Sequence, residues 1–224
     1  MWNEYSTYYQ SQNPQLSEEW SKLRLCSLTA SNASKWSGRS PYTISPDEDA
    51  DIICGLKKEQ FTDFQIWNMN RGSSGEKYIR DWYCNQIGYK VKEVGISVWK
   101  EDMRFRGSLD ADTSNECFAE FKIPLRIYRP LIEHYEAVKK GFTPPLSYHS
   151  HIQDSHYDQI ITNLKIHNRK YCDYIVSCKN NVYWDKVYMN HDHWNMLYEK
   201  GCEFYEKYIT PRMIKHNLKR IDPI

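Results

Sequence analysis

The feature that most constrains this chain is the run Cys117-Phe118-Ala119-Glu120-Phe121-Lys122-Ile123, whose side chains alternate in character with a period of two. That period describes a strand. Cys117, Ala119, Phe121 and Ile123 make an apolar face, and Phe118, Glu120 and Lys122 make the other, with a carboxylate beside an ammonium. Upstream, Arg106-Gly107-Ser108-Leu109-Asp110 reaches this strand through the turn signal Asp112-Thr113-Ser114-Asn115. A hairpin turning about Ser114 sets Asp110 opposite Phe118, on the face of Glu120. A diagonal pair of that kind lies roughly 7–8 Å apart at the backbone, so both carboxylates can reach one hard divalent cation. Lys122 points at the same spot. A lone Glu-x-Lys strand is a half-exposed edge with its charges in water. The Asp upstream, the Gly-Ser before it and Pro124 after the strand set this one apart.

The surrounding pattern predicts one domain over residues 1–224. Its first part, about 1–88, reads helical. Leu16 to Trp20 opens an amphipathic turn, and Ser45-Pro46-Asp47-Glu48 combines a cap serine, a first-turn proline and a Glu three residues after the cap. A further helix fits Ser74 to Gln86, with Tyr78, Ile79, Trp82 and Tyr83 as its stripe and Gly88 as its stop. Short strands then fit Val91–Val94, Ile96–Lys100, Met103–Leu109 and Cys117–Ile123, an antiparallel meander. Helices fit Tyr128–Lys139 and Asp154–His167, separated by a Pro-bearing loop from Gly141 to Ser150. Strands fit Tyr171–Cys178 and Val182–Tyr188, closing a sheet core of about 89–190. A last helix runs from His191 to about Tyr208 in a C-terminal part of about 191–220. This order predicts an α/β (α+β) fold, a central mixed β-sheet flanked by helices.

Several classes of function are excluded by composition. The chain has 224 residues, 40% of them apolar, and a mean hydropathy of −0.79. With no apolar run near 18 residues and no signal-peptide pattern at Met-Trp-Asn-Glu, it reads as a soluble intracellular protein with no membrane contact. Its seven cysteines are odd in number and scattered, as buried thiols in a reducing compartment would be. The net charge of +1 does not by itself indicate a nucleic-acid binder, although an acidic metal site and a basic groove can cancel. Basic residues gather at Lys122, Arg126 and Arg129, and again at Lys207, Arg212, Lys215, Lys219 and Arg220, where a solvated helix face is the plain reading. His149, His151, His156, His191 and His193 lack the spacing of a zinc site and read as solvated loop and helix-start histidines. The 18 tyrosines and 8 tryptophans read mainly as core.

The order Asp110, Glu120-x-Lys122 resembles the PD-(D/E)xK nucleases, and its flanks are similar to the lambda exonuclease and YqaJ-like viral recombinase branch, which includes alkaline exonucleases of viruses. Three further blocks carry the resemblance, over about Arg24 to Val176. Arg24-Leu25-Cys26-Ser27-Leu28-Thr29-Ala30-Ser31 resembles the branch's Arg, Thr-Ala-Ser block, which implies 5′-phosphate binding by Arg24, Thr29 and Ser31, with Ser108 joining them. Arginine suits a bidentate phosphate contact, and hydroxyls at a helix start add donors; the same hydroxyls would also serve as helix caps. Gly72-Ser73-Ser74-Gly75-Glu76 resembles the Gly-x-x-x-Glu at the start of the helix before the meander, which implies Glu76 as a metal ligand. By itself a first-turn Glu only offsets the helix dipole. Tyr157-Asp158-Gln159-Ile160-Ile161 resembles the branch's Tyr-x-Gln-Val-Gln helix, implying Gln159 in the site, but Ile161 stands where the second glutamine would be.

The resemblance implies a restriction-endonuclease-like core and a Mg²⁺-dependent exonuclease, with Mn²⁺ able to substitute, that degrades linear double-stranded DNA from 5′-phosphorylated ends. Asp110, Glu120 and the main-chain carbonyl of Phe121 would hold one metal, with Asp110 and Glu76 reaching toward a second. Lys122 would orient or deprotonate the attacking water, which implies a mildly alkaline optimum. It also implies work beside a single-strand annealing protein, as a monomer or a homotrimer, in a host cytoplasm or nucleus if viral. Two alternatives remain open: a structure- or sequence-directed endonuclease or RNase on the same fold, and a catalytically inactive DNA-end-binding protein.

Overall fold

The computed structural model describes residues 1–41, 45–146 and 148–223; Ser147, within the expected loop, lies outside the described residues. Two short strands open the chain, β1 (Trp2–Glu4) and β2 (Tyr8–Ser11), in a stretch whose pattern reads as helical. Their partner is remote, since Tyr8 pairs with Trp99, so no local periodicity announces them. Then come α1 (Glu18–Arg24), β3 (Leu28–Thr29), α2 (Ala33–Trp36), α3 (Pro46–Ile53) and α4 (Asp63–Ile87). In α3 the Ser45 hydroxyl accepts the Glu48 N–H at 3.1 Å, as the cap sequence requires.

Helix α4 begins eleven residues before the expected Ser74, because Thr62 and Gln65 form a reciprocal capping box. Gly72 and Gly75 therefore lie inside a helix and not at its start, and Glu76 is not a first-turn residue. A Cβ on Gly75 would stand 2.8 Å from Ile123 Cδ1, so the missing side chain is what lets α4 lie against the end of the Glu-x-Lys strand. One turn and two turns on, Ile79 and Tyr83 are buried against Ala119 and Phe121. Tyr78, placed on the same stripe by the sequence pattern, is 74% exposed. Gly88 ends the helix in the left-handed conformation, φ 81°.

The expected meander divides between two sheets. Strands β4 (Ser97–Trp99) and β5 (Phe105–Gly107) join a five-stranded sheet of order β1-β2-β4-β5-β3, in which β3 and β5 are parallel. Strands β6 (Ala111–Asp112) and β7 (Cys117–Lys122) open a second sheet, completed after α5 (Arg129–Lys139) and α6 (Asp154–His167) by β8 (Tyr171–Cys178) and β9 (Asn181–Tyr188). Its order is β6-β7-β8-β9, with β7 and β8 parallel. Residues 91–94 form no strand, only an isolated bridge from Lys92 to Asp112. The fold is mixed α/β, and residues 108–110 are the crossing from one sheet to the other.

Helix α6 fills the space between the sheets, touching β4 and β5 on one side and β8 on the other. It is consequently buried nearly all round: Tyr157, Asp158, Ile160 to Leu164, Ile166 and His167 are inaccessible. Gly107 has no room for a Cβ, which would fall 2.1 Å from Asn163 Oδ1. The chain ends with α7 (His191–Phe204), a π-helical turn over Tyr205–Ile209 and α8 (Thr210–Lys215). The C-terminal arginines are not a solvated face. Arg212 binds Asp51 at 2.6 Å and Asp47 at 3.0 Å, and Arg220 holds Asp222, which also pairs with the fully buried Arg106. No described helix is long and apolar enough to cross a membrane.

Because Ile161 is fully buried, Ile161→Gln inserts an amide where no partner waits. The expected loss is on the order of 2–3 kcal/mol, or roughly 4–12 °C in Tm for a chain of this size, measured by thermal denaturation. A glutamine here that left Tm unchanged would show that the position faces a polar cavity.

Candidate active site

Strand β7 is buried on both faces. Glu120 is 0% exposed, which removes the reading of Glu-x-Lys as a strand face in water. Its Oε1 accepts the Lys122 ammonium at 2.7 Å and the Gln159 amide Nε2–H at 2.6 Å, while Lys122 also donates to Gln159 Oε1 at 3.0 Å. The three side chains close a triangle. Oε2 of Glu120 is buried with no hydrogen-bond partner among the described residues, an expensive state for a carboxylate oxygen unless a cation or a proton occupies it. Gln159 thus reaches the centre from α6, and Ile161 belongs to the core.

Asp110 arrives by a different register from the expected one. The ladder pairs Ala111 with Ala119 and Asp112 with Phe118, and a Ser114 N–H to Cys117 carbonyl bond closes the turn one residue later than a turn about Ser114. Continued, this register sets Asp110 level with Glu120 instead of Phe118. Asp110 Oδ2 accepts the Phe121 N–H at 2.8 Å. Arg80, which sequence reasoning did not single out, donates to the Asp110 carbonyl at 3.0 Å and to Glu76 and Glu93 at 3.0 Å each. Its signal was the i, i+4 spacing from Glu76. Arg80 therefore fastens α4 to the crossing between the sheets and carries Glu76 with it.

Burial, and then the charge of Asp110, push Glu120 up to about 8 and Glu76 up to about 7. Asp110 is raised as well, by burial, against the pull of Lys122 and the Phe121 N–H. Burial alone would lower Lys122, but Glu120 and Asp110 outweigh it and hold its ammonium above the usual lysine range. The site has more carboxylate than its lysine and arginine neutralise. An oxygen donor set with one buried oxygen unpartnered fits a hard dication.

Beside this cluster lies a cavity of about 250 Å³ whose lining includes Arg24, Thr29, Ser31, Ser108, Asp110 and Gln159. Arg24 donates to Ser31 Oγ at 2.9 Å and lies 4.3 Å over the Trp20 ring. Trp20 Nε1–H in turn donates to Ser108 Oγ at 3.1 Å. Among the described residues no carboxylate pairs with Arg24, and burial draws its pKa down to about 10. Thr29 makes no side-chain cap bond, so its hydroxyl is not committed to capping a helix. All four residues expected at the phosphate line one cavity with Asp110.

His191 is exposed, as expected, but other histidines depart from the solvated reading. His151 is 2% exposed, and His156 lies half-buried beside Tyr174, whose hydroxyl is 2.7 Å from Nδ1; desolvation and Lys122 take its pKa down to about 3. His193, also half-buried, bonds the buried Asp158 at 2.7 Å. Packing of distant segments brings these partners together, which the sequence spacing did not reveal.

This is a mixed α/β fold shared with solved exonucleases. It superposes on the crystal structure of an alkaline exonuclease, LHK-Exo, from Laribacter hongkongensis with a TM-score of 0.65 at 20% identity, covering 90% of this chain and 98% of that one. The same protein in complex with dAMP gives 0.65 at 19% identity, with the same coverage. A phage-related exonuclease from Haemophilus somnus 129PT gives 0.57 at 11% identity, over 85% of this chain and 96% of that one. Residues 19–167 match the sequence profile of the YqaJ-like viral recombinase domain, and the chain belongs to that family. Among curated proteins nothing matches.

The raised carboxylates tie stability to pH. In metal-free protein Glu76 and Glu120 hold protons in the folded state up to about 7 and 8, but release them near the ordinary 4.3 when unfolded. The folded state therefore binds more protons across that window, and stability falls as pH rises from about 4.5 to 8. Lys122, raised, stays charged throughout and adds nothing there. Thermal denaturation in chelator should show Tm dropping by several degrees between pH 5 and 8, with a smaller drop in Glu120→Gln. A Tm that rises over this range would overturn the assignment.

Proposed function

We propose that this chain is a Mg²⁺-dependent exonuclease, with Mn²⁺ able to substitute, that degrades linear duplex DNA from 5′-phosphorylated ends. The observation that carries the reading is the Glu120–Lys122–Gln159 triangle around the buried Glu120, with one carboxylate oxygen unpartnered and an arginine without a counter-charge nearby among the described residues. The family and the exonucleases that share the fold support it. We place the whole chain, 1–224, in one nuclease domain acting inside a cell, on double-stranded DNA ends.

Asp110, Glu120 and Glu76, with the Phe121 carbonyl, would hold the metal. A bound Mg²⁺ there supplies Lewis-acid polarisation of the phosphate and a lowered pKa for the attacking water. Gln159 and Glu120 fix the Lys122 ammonium by two hydrogen bonds, so its charge is aimed with little reorganisation. The raised pKa of Lys122 favours orienting the water and offsetting phosphate charge over acting as a base. Arg24, Thr29, Ser31 and Ser108 would grip the terminal phosphate, a contact that positions the end without reading sequence.

Linear 5′-phosphorylated duplex should be degraded with Mg²⁺, spared in EDTA and spared by Lys122→Ala, while covalently closed circles survive. Cutting of the circle would establish an endonuclease; no cutting of either, with DNA affinity unchanged in Asp110→Asn, would establish the inactive end-binding protein. Arg24→Ala should lower the preference for 5′-phosphate over 5′-hydroxyl ends by about 10–150-fold, the equivalent of a charge-assisted hydrogen bond of about 1.5–3 kcal/mol. Equal preference in wild type and Arg24→Ala would remove Arg24 from the phosphate site.

A further inference from the structure

Away from the carboxylate cluster, three ligand-type side chains converge at the β9 edge of the second sheet. They are His134 of α5, His151 in the segment before α6, and Asp185 of β9, with one donor atom of each within 4.8 Å of the others. His134 and His151 are 6% and 2% exposed. Their rings stack nearly parallel, 3.8 Å between centroids and 10° between planes, and the Tyr148 ring lies beside both, 5.1 Å from His151 and 5.5 Å from His134.

As a hydrogen-bonded group this arrangement is incomplete. Both imidazoles aim Nε2 at the same oxygen, Asp185 Oδ2, His151 from 2.6 Å and His134 from 3.4 Å. The second distance is too long for a good hydrogen bond. Both Nδ1 atoms are buried with no partner among the described residues, and Asp185 Oδ1 is already engaged by the Lys186 N–H at 2.8 Å. That bond fixes the carboxylate so that Oδ2 is presented to the two rings, as a supporting hydrogen bond orients a metal-ligating carboxylate.

We infer that His134, His151 and Asp185 form a binding site for a zinc-type dication, distinct from the carboxylate site, with a remaining position open to water beside the half-buried Asp185. Two imidazole nitrogens and one carboxylate oxygen select a first-row transition ion such as Zn²⁺, whereas Mg²⁺ prefers oxygens alone. The sequence spacing argues against such a site because the ligands come from three elements that only folding brings together.

The register relates the two centres. Glu120 pairs with Tyr174, and Tyr174 with Asp185, so the three lie in one row across β7, β8 and β9. At about 4.7–4.9 Å per strand the two carboxylate residues are roughly 10 Å apart at the backbone. A metal held at one end of the row would tie α5, the segment before α6 and β9 together beside the strand that carries Glu120.

The test uses full-length protein stripped with chelator, with Co²⁺ and Zn²⁺ as probes. One equivalent of Co²⁺ should give the visible d–d absorption of a nitrogen-ligated, four- or five-coordinate ion, persisting in excess Mg²⁺ and in Glu120→Gln. His134→Gln or His151→Gln should weaken binding at least 100-fold and abolish the rise in Tm that Zn²⁺ gives the wild type. Absence of the absorption from wild-type protein overturns the inference without any variant, as does binding that Mg²⁺ displaces or that Glu120→Gln removes. Should the histidine variants fail to fold, Asp185→Asn and the wild-type spectrum decide it.

Discussion

Removing the Glu120 carboxylate from water is the constraint on which the rest of the structure depends. An ion buried in a protein interior loses several kcal/mol of hydration, and a single partner rarely restores it. Here Lys122 and Gln159 both engage one oxygen and leave the other bare. Such an arrangement is costly for folding, and strongly perturbed carboxylates of this kind cluster at functional sites. Everything near it serves to keep the geometry fixed. Gly75 allows α4 to approach the end of β7, and Arg80 locks the Asp110 main chain and Glu76 into one frame.

Helix α6 makes that burial possible. Lying between two sheets, it is buried nearly all round, so the polar groups it carries must find partners inside the protein. Gln159 and Asn163, one turn apart, do this: the first joins Glu120 and Lys122, and the second donates to the Ser108 carbonyl at 3.2 Å. The crossing strand segment 108–110 is consequently held from both sides. In the middle of β5, Arg106 is buried against Asp222 from the C-terminal arm, so residues beyond the family match close the core on which the crossing rests.

The sequence made the site more legible than the architecture, for a physical reason. Asp110, Glu120 and Lys122 are close along the chain, so a period of two and one turn suffice to bring them together. Even there the turn chemistry mattered, since the Ser114 to Cys117 bond moved the register by one residue and put Asp110 level with Glu120. The helices with local signals, α3 with its cap serine and α6 with its bounds, followed the pattern. What depended on remote partners did not: β1 and β2 find their place through β4, the meander splits because residues 108–110 change sheets, and His151 is buried by α5 and β9. The early start of α4 was legible in Thr62 and Gln65, a capping pair outweighed by the two glycines that follow.

The net charge of +1 conceals two opposite imbalances that face each other. On one side, Glu76, Asp110 and Glu120 crowd together with pKa values raised, and of the three Asp110 lines the cavity. On the other, Arg24 holds a cation among hydroxyls and an indole, with no carboxylate among the described residues paired to it. If the two were within reach they would neutralise one another, and the site would be a structural ion pair. The fold keeps them apart, Arg24 on α1 braced by Trp20 and Asp110 on the sheet crossing braced by Phe121 and Arg80. A ligand that brings a dication to the carboxylates and a phosphate to the arginine relieves both imbalances at once, whereas either alone leaves the other side unsatisfied. Neither the net charge nor any single motif expresses this complementarity.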